Sequence, residues 1–528
     1  MTTRDSPPPT PGRRRGAAWW VGMGILFSRL SGLVRDAALA YYLGSTRVAE
    51  VIAAGLRTPN IIQNLLGEGT LSASFIPIYA RMLEDGREEE AGRFAGAVLG
   101  IIATLAFAIA ALGIVCAPLI AALFVEWDPA SRALLTRVLR IFFPMTATLV
   151  LSAWALGILN SHRRFFLAYV APVLWNLTII IALVVAGRAF VSGRIDPDAV
   201  AIAFAWGGLV GAALQLLVQL PTVTRLLRGF RLSLGRGVTG VREAIRSFGP
   251  VVAARGVVNL SAWVDLLLAA LLVQGAVIHL TRAQTLYVLP ISLFGMAIAA
   301  SELPELARSS SVEPGALAPR VRGALRRARF LLIPSAVAYL VFGDVLVAAL
   351  LQRGDFGTSD TTVVGYVLAA YALGLPASGS SRTLSSAFYA LDDTRTPARV
   401  ATLRVGVSLA LGASLMFPFD RIRVGAFGVG AAGLALGSAV AAWLEYGLLR
   451  RALRERIGGH APGLGGLLRV VVASSAGAGV AVGVRIGLAA AEVGSVTLAV
   501  GTAGAFGVVY LLAAALLGEG IPLRPGRA

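Results

Sequence analysis

The chain contains no lysine, a single cysteine and only three histidines. Cys116 sits in an apolar run, so neither a disulfide framework nor a cysteine metal site can form within the chain. His162, His279 and His460 are far apart in sequence, which argues against a histidine metal cluster. Charge is also scarce. Only 14% of the 528 residues are charged and 57% are hydrophobic, and the mean hydropathy is +0.77. A soluble domain is nearer a quarter charged, so the composition indicates a polytopic membrane protein. The formal net charge of +19 would suggest a nucleic-acid partner in a soluble chain. Here all 47 basic residues are arginine, and most fall in short gaps between apolar runs. That distribution sets membrane orientation and gives no face for nucleic acid.

Residues 1–16 are rich in Pro, Thr and Arg and read as a disordered cytoplasmic tail. No small-residue cleavage site follows, so the first apolar run is a retained span. Runs of about 20 apolar residues predict about fourteen transmembrane helices. They lie near 17–43, 48–80, 92–124, 134–160, 163–187, 197–222, 247–274, 279–306, 328–351, 361–391, 397–418, 424–449, 466–488 and 494–518. With both termini inside, the inner gaps and tails hold roughly three times as many Arg as the outer gaps, as the positive-inside rule requires. No outer gap exceeds roughly a dozen residues, so the protein's work is expected within the membrane.

An internal repeat is visible. "LSASFIPIYAR" (71–81) aligns with "IAASELPELAR" (298–308), and "LNSHRR" (159–164) aligns with "LDDTRT" (391–396). Both matches are offset by six spans, which preserves orientation and predicts two parallel six-helix repeats plus two C-terminal helices. The expected organisation is an N-lobe at 17–222, a basic cytoplasmic linker at 223–246 and a C-lobe at 247–450. Appended spans at 451–518 and a cytoplasmic tail at 519–528 complete it.

A charged side chain at the bilayer centre costs at least about 2.5–3.5 kcal/mol, so charges inside spans need a reason. Arg29, Arg35, Arg57, Arg140, Arg255, Arg282, Arg382 and Arg404 lie inside spans, with Asp36, Glu68 and Asp265 as the chief acids. Arg140 is close enough to a span end to snorkel. On a helical wheel Ser28, Arg29, Ser31, Gly32, Arg35 and Asp36 share an arc of about 160°. Arg57, Asn60, Asn64 and Glu68 form a second stripe, and Gly67 and Gly69 flank the acid. Structural ion pairs account for some of these charges, Arg35 beside Asp36 being the obvious case. Interior Arg outnumber the acids, however, and an unpaired buried Arg is strongly unfavourable. A water-filled cavity holding an anion explains the surplus, since the planar guanidinium suits phosphate oxygens. Pro59 and Pro290, at matched places in the two halves, are candidate kinks for a rocking transporter.

"SRLSGLVRDAALAYYLG" (28–44) followed by "RTPNIIQNLLGEGTLSASFIPIYAR" (57–81) resembles the signature of the MurJ (MviN) lipid II flippases. That family belongs to the multidrug/oligosaccharidyl-lipid/polysaccharide exporter superfamily. The resemblance spans the chain, including the two extra C-terminal helices. It implies a multi-pass protein of the bacterial inner membrane that flips an undecaprenyl-diphosphate-linked peptidoglycan precursor from inner to outer leaflet. It also implies alternating access, no enzyme activity and a monomer. The family's essential first-span pair falls on Arg29 and Arg35, with Asp36 adjacent. Its basic-x-Pro-Asn element falls on Arg57, Pro59 and Asn60, and its acid on Glu68. Two departures stand out: the family's further cavity arginines are Gln63 and Thr285 here. Arg282, three residues before Thr285 on the same helical face, is therefore expected to supply the second-lobe charge; if it instead snorkels at the outer end of its span, the charge falls to Arg255 or Arg382. No cofactor is implied beyond a coupling ion (sodium or proton) or the membrane potential. Asp265 is a possible ion ligand, although span 11 offers no acid to accompany it.

Three other readings compete. A flippase for a different polyprenyl-diphosphate-linked glycan would share these features. A membrane-embedded glycan polymerase or glycosyltransferase would need a catalytic acid or metal site near a membrane surface, and the short outer gaps offer none. A drug antiporter would favour cavity acids, which the arginine surplus opposes.

Overall fold

Within hydrocarbon every backbone N–H and C=O must be satisfied inside its own segment, so long apolar runs fold as helices. The computed structural model describes residues 11–307, 314–391, 393–459 and 463–520. The side chains of 11–23, of 293–316 and of several positions that include Glu68 and Arg255 lie outside the described set. Sixteen helices follow in order. They are α1 (Pro11–Leu43), α2 (Arg47–Leu66), α3 (Glu68–Ser74), α4 (Ile76–Glu84), α5 (Glu88–Ala122), α6 (Pro129–Ser161), α7 (Phe165–Val191) and α8 (Pro197–Leu226). Then come α9 (Val241–Ala270), α10 (Ala276–Ala307), α11 (Pro314–Leu351), α12 (Thr358–Ala390), α13 (Arg395–Asp420), α14 (Gly430–Ile457), α15 (Leu464–Ala490) and α16 (Ser495–Leu516). The only described strands, Arg423–Val424 and Phe427–Gly428, form a two-stranded hairpin before α14.

Each expected span corresponds to one helix except the second, which is divided among α2, α3 and α4. Ten helices are long and apolar enough to cross a membrane among the described residues. Helices α1, α9 and α10 have 33, 30 and 32 residues. At 1.5 Å per residue these lengths of about 45–50 Å also exceed a hydrocarbon core of about 30 Å. Residues 11–16, expected in a disordered tail, are the first turns of α1, while 1–10 lie outside the described residues. Local sequence sets several starts. Asp128 and Asp196 each accept a backbone N–H three residues on, at 3.0 and 2.8 Å, and each precedes a proline suited to the first helical turn.

The break in the second span falls at Gly67, not at Pro59, which lies inside α2. Gly67 N–H donates to Gln63 O at 2.7 Å, and a Cβ at Gly67 would collide with that same carbonyl oxygen. That bond is the last α-helical one of this stretch; α2 ends because the Gly67 backbone then leaves the helical range, with φ −89° and ψ −148°.

The chain separates into two compact units. Unit 1 runs to Leu43 and resumes over Val51–Leu260; unit 2 comprises Gly44–Glu50 and the residues from Ser261 onward. Inside unit 1, α5 packs on α6, α6 on α8, α7 on α8, and the short α3 and α4 on α6. Inside unit 2, α11 packs on α12, α12 on α14, α13 on α14, and α10 on α12. These are the same pairings displaced by six spans, so the repeat read from two short motifs is a repeat of packing. Helices α15 and α16 have no counterpart and dock on α11. Their contact buries Phe330, Phe342, Phe506 and Tyr510 and is pinned by Arg485 on Asp344 at 3.1 and 2.7 Å. Residues between α8 and α9 run along α5, whose Gly92, Gly96 and Gly100 receive the backbone carbonyls of Arg228, Arg231 and Ser233. A side chain at any of the three would strike a carbonyl oxygen.

Candidate functional site

In unit 1 the polar arc of α1 divides into an engaged part and a free part. Arg35 donates from Nε and Nη2 to Asp36 Oδ1 at 3.0 and 2.8 Å, and from Nη1 to Asn176 Oδ1 at 3.1 Å. Its guanidinium also lies over the Trp175 ring, 5.4 Å from the centroid. Asn176 Nδ2 in turn donates to Ser31 Oγ at 2.9 Å, and Ser31 Oγ donates to Ser28 O at 2.9 Å. Ser28, Ser31 and Arg35 are thereby turned toward α7. Arg29, two turns before Arg35, is exposed and has no hydrogen-bond or ion-pair partner among the described residues. With Arg35 neutralised by Asp36, Arg29 carries the uncompensated charge of this polar arc.

The second stripe is partly assembled. Arg57 is half-buried and interacts with its surroundings, and Asn60 is exposed. Asn64 Nδ2 donates to Asn259 Oδ1 of α9 at 2.8 Å. Glu68 opens α3, immediately after the break at Gly67, but its side chain lies outside the described residues. The Arg255 side chain lies outside them as well.

In unit 2 the expectation for Arg282 meets a different geometry. Its side chain is only 4% exposed; Nη2 donates to Gly44 O at 2.8 Å, Nη1 to Ser45 Oγ at 3.4 Å, and the guanidinium stacks 4.4 Å from the Phe356 centroid. Inside unit 2 the group is held on the Gly44–Glu50 loop. Glu50 belongs to the same fastening. Its Oε1 accepts from Gly275 N and Val277 N at 2.9 and 3.0 Å, at the start of α10, while Oε2 pairs with Arg47 at 2.6 Å. His279 Nε2 and Asp360 Oδ1 lie 3.1 Å apart beside it. Thr285 donates its hydroxyl to Thr281 O at 3.0 Å. Asp265 is half-buried and engaged with its surroundings. Arg404 of α13 pairs with Glu445 of α14 at 2.8 Å, and Arg382 of α12 is exposed.

Sequence reasoning missed Trp175 and Asn176, and it missed the loop cluster of Ser45, Glu50, His279 and Asp360. A lone Asn in the apolar run of α7 was the available signal for the first; a carboxylate three residues into α2 was the only one for the second.

Charged groups held inside apolar helices, in two units of matching pairing, define a multi-pass transporter of repeated architecture in the bacterial inner membrane. A family model described as "Lipid II flippase MurJ" matches residues 39–502. The chain belongs to that family. The lipid II flippase MurJ of Burkholderia cenocepacia is 30% identical over 442 residues, covering 82% of each chain. A protein of Rhizobium tropici named "Probable lipid II flippase MurJ" is 32% identical over 434 residues, covering 80% of this chain and 78% of its own. Among solved structures, an inward closed lipid II flippase MurJ superposes with a TM-score of 0.75 at 21% identity, covering 94% of this chain and 98% of that one. An inward-facing multidrug resistance MATE family transporter superposes with a TM-score of 0.59 at 16% identity, covering 84% and 94%. Both likenesses concern the fold.

Proposed function

We propose that the chain moves lipid II from the inner to the outer leaflet by alternating access of its two repeats, with Arg29 gripping the diphosphate. The reading rests on family membership together with one observation, the exposed guanidinium of Arg29 beside a neutralised Arg35. A diphosphate offers oxygens to a planar fork, and a fork already committed to Asp36 and Asn176 has less to give. Arg35 accordingly orients the site, and Arg29 meets cargo. Arg57 and Asn60 extend the polar surface along α2, and Arg382 replaces Arg282 as the candidate charge of the second repeat. Both termini are cytoplasmic, the protein acts as a monomer, and transport is driven by a coupling ion or the membrane potential.

The test is replacement of the resident flippase in a depletion strain, with lipid II exposure on the outer leaflet as readout. Restored growth with restored exposure supports the reading. Normal membrane abundance without exposure of lipid II would point to another polyprenyl-diphosphate-linked glycan.

A further inference from the structure

The second "LDDTRT" motif, at the turn between α12 and α13, is not used by the flipping site. In the structure it forms one wall of a cleft of about 530 Å³. Leu391, Asp393, Arg395, Thr396 and Arg399 line it from the turn and the start of α13, and Arg456 lines it from the end of α14. Asp393 is fully committed: Oδ1 accepts from the backbone N–H groups of Arg395 and Thr396, both at 3.0 Å, Oδ2 accepts from the Thr396 hydroxyl at 2.7 Å, and Arg456 pairs with Oδ2 at 2.8 Å. These bonds hold its carboxyl below the usual carboxylate range, the backbone N–H of Thr396 being the largest cause. The N-terminus of α13 is thus already capped and is not what the cleft offers. It offers guanidinium groups. Arg395 and Arg399 are exposed, one helical turn apart on one face, and have no ion-pair partner among the described residues. The neighbouring Asp392 lies outside the described residues.

We propose that this cleft binds the phosphate of an anionic phospholipid headgroup. Three features carry the assignment. The exposed guanidinium groups of Arg395 and Arg399 match phosphate oxygens. The cleft lies at the membrane border, because it sits where α12 ends, α13 begins and α14 ends, three helices each long and apolar enough to cross. Below it α13 is the least covered of the ten apolar helices, with 17% of its apolar stretch buried and Leu403 exposed, so an acyl chain can lie along the helix that holds the head. Basic pockets between helix ends on the arginine-rich side of a membrane protein recognise anionic heads in this way. The site is independent of Arg29 and of cargo.

The test uses the purified full-length protein in a mild detergent. Native mass spectrometry follows retention of phosphatidylglycerol and of phosphatidylcholine with the same chains, and thermal unfolding checks the fold. The wild type retains phosphatidylglycerol in preference to phosphatidylcholine. Arg395→Gln with Arg399→Gln lowers that retention about ten-fold, consistent with loss of two charge-assisted contacts. Arg450→Gln with Arg451→Gln removes the same charge from α14 outside the cleft and leaves retention unchanged. Equal retention in the cleft variant, or an equal loss in both variants, would overturn the proposal. Displacement of the lipid by micromolar ATP would overturn it too, by assigning the cleft to a soluble phosphate.

Discussion

Arg35 Nη1 donates to Asn176 Oδ1 at 3.1 Å, which joins α1 to α7 through a residue 141 positions away in the chain. A guanidinium held by a carboxylate, an amide and an indole ring serves packing as well as charge. The two first-span arginines therefore separate by experiment. Arg35→Ala leaves Asp36 and Asn176 unsatisfied in a half-buried place and should lower stability by about 1–3 kcal/mol. Arg29→Ala should melt like wild type yet lose flipping, and Arg29→Lys should recover only part of it, since a point charge lacks the fork. The checks are thermal unfolding in detergent and a lipid II exposure assay; equal melting of both alanine variants would refute the division.

Glu50 and Arg282 make a paired prediction. Glu50→Ala strips two backbone N–H groups and Arg47 of a buried acceptor and should cost about 3–5 kcal/mol. Arg282→Ala should likewise lower membrane abundance, and adding Thr285→Arg should not restore it. Recovery of flipping by that second change would return Arg282 to the cargo path.

The row of glycines under the α8–α9 connection gives a steric prediction. Gly96→Val places a branched side chain where the Arg231 carbonyl lies and should release the connection from α5. Limited proteolysis near residue 231 reads this directly, cleavage rising several-fold over wild type. The wild-type connection, seated along its length, should resist.

His162 shares a 3.0 Å hydrogen bond with Tyr79, and burial pushes its pKa below the ordinary 6.5, with Arg164 adding to the fall and Glu88 opposing it. The fold then binds fewer protons here than the unfolded chain does. The stability from this group is present in full above 6.5 and is lost as pH falls from there through the folded value. Between pH values of about 7.5 and 5.5 the melting temperature of wild type should fall further than that of His162→Gln. Parallel falls would remove the histidine from the account.

Orientation is testable by reporter fusions at about residue 235 and about residue 356, expected to signal cytoplasm and exterior respectively. An exterior signal at the first would reverse every span that follows.

How much of this was written in the sequence depends on the range of the interaction. Helix positions were legible because hydropathy is a property of one segment at a time. The Arg35–Asp36 pair was legible because the two are adjacent. Span 2 reads as one apolar run with Pro59 as its candidate kink, since hydropathy does not register a turn of the backbone, whereas the structure ends α2 at Gly67, where the backbone leaves the helical range. Asn176 and the partners of Arg282 were not legible. An apolar helix such as α7, with a single amide, gives no period from which to choose its facing neighbour, and Arg282 reaches a carbonyl 238 residues away. Hydropathy registers a charge but not what holds it.

The seven residues Gly44–Glu50 belong to a unit whose other residues begin at Ser261. On the ribosome this gives them a waiting period. Glu50 is made 225 residues before the Gly275 N–H it will accept. At about 5–20 residues per second the carboxylate stands without its final partners for about 10–45 s. Helix α2 must therefore enter the membrane with its first turn unsecured, and the loop docks only when the second repeat arrives. A variant that slows synthesis between α8 and α10 would lengthen that wait without altering a single contact of the finished protein.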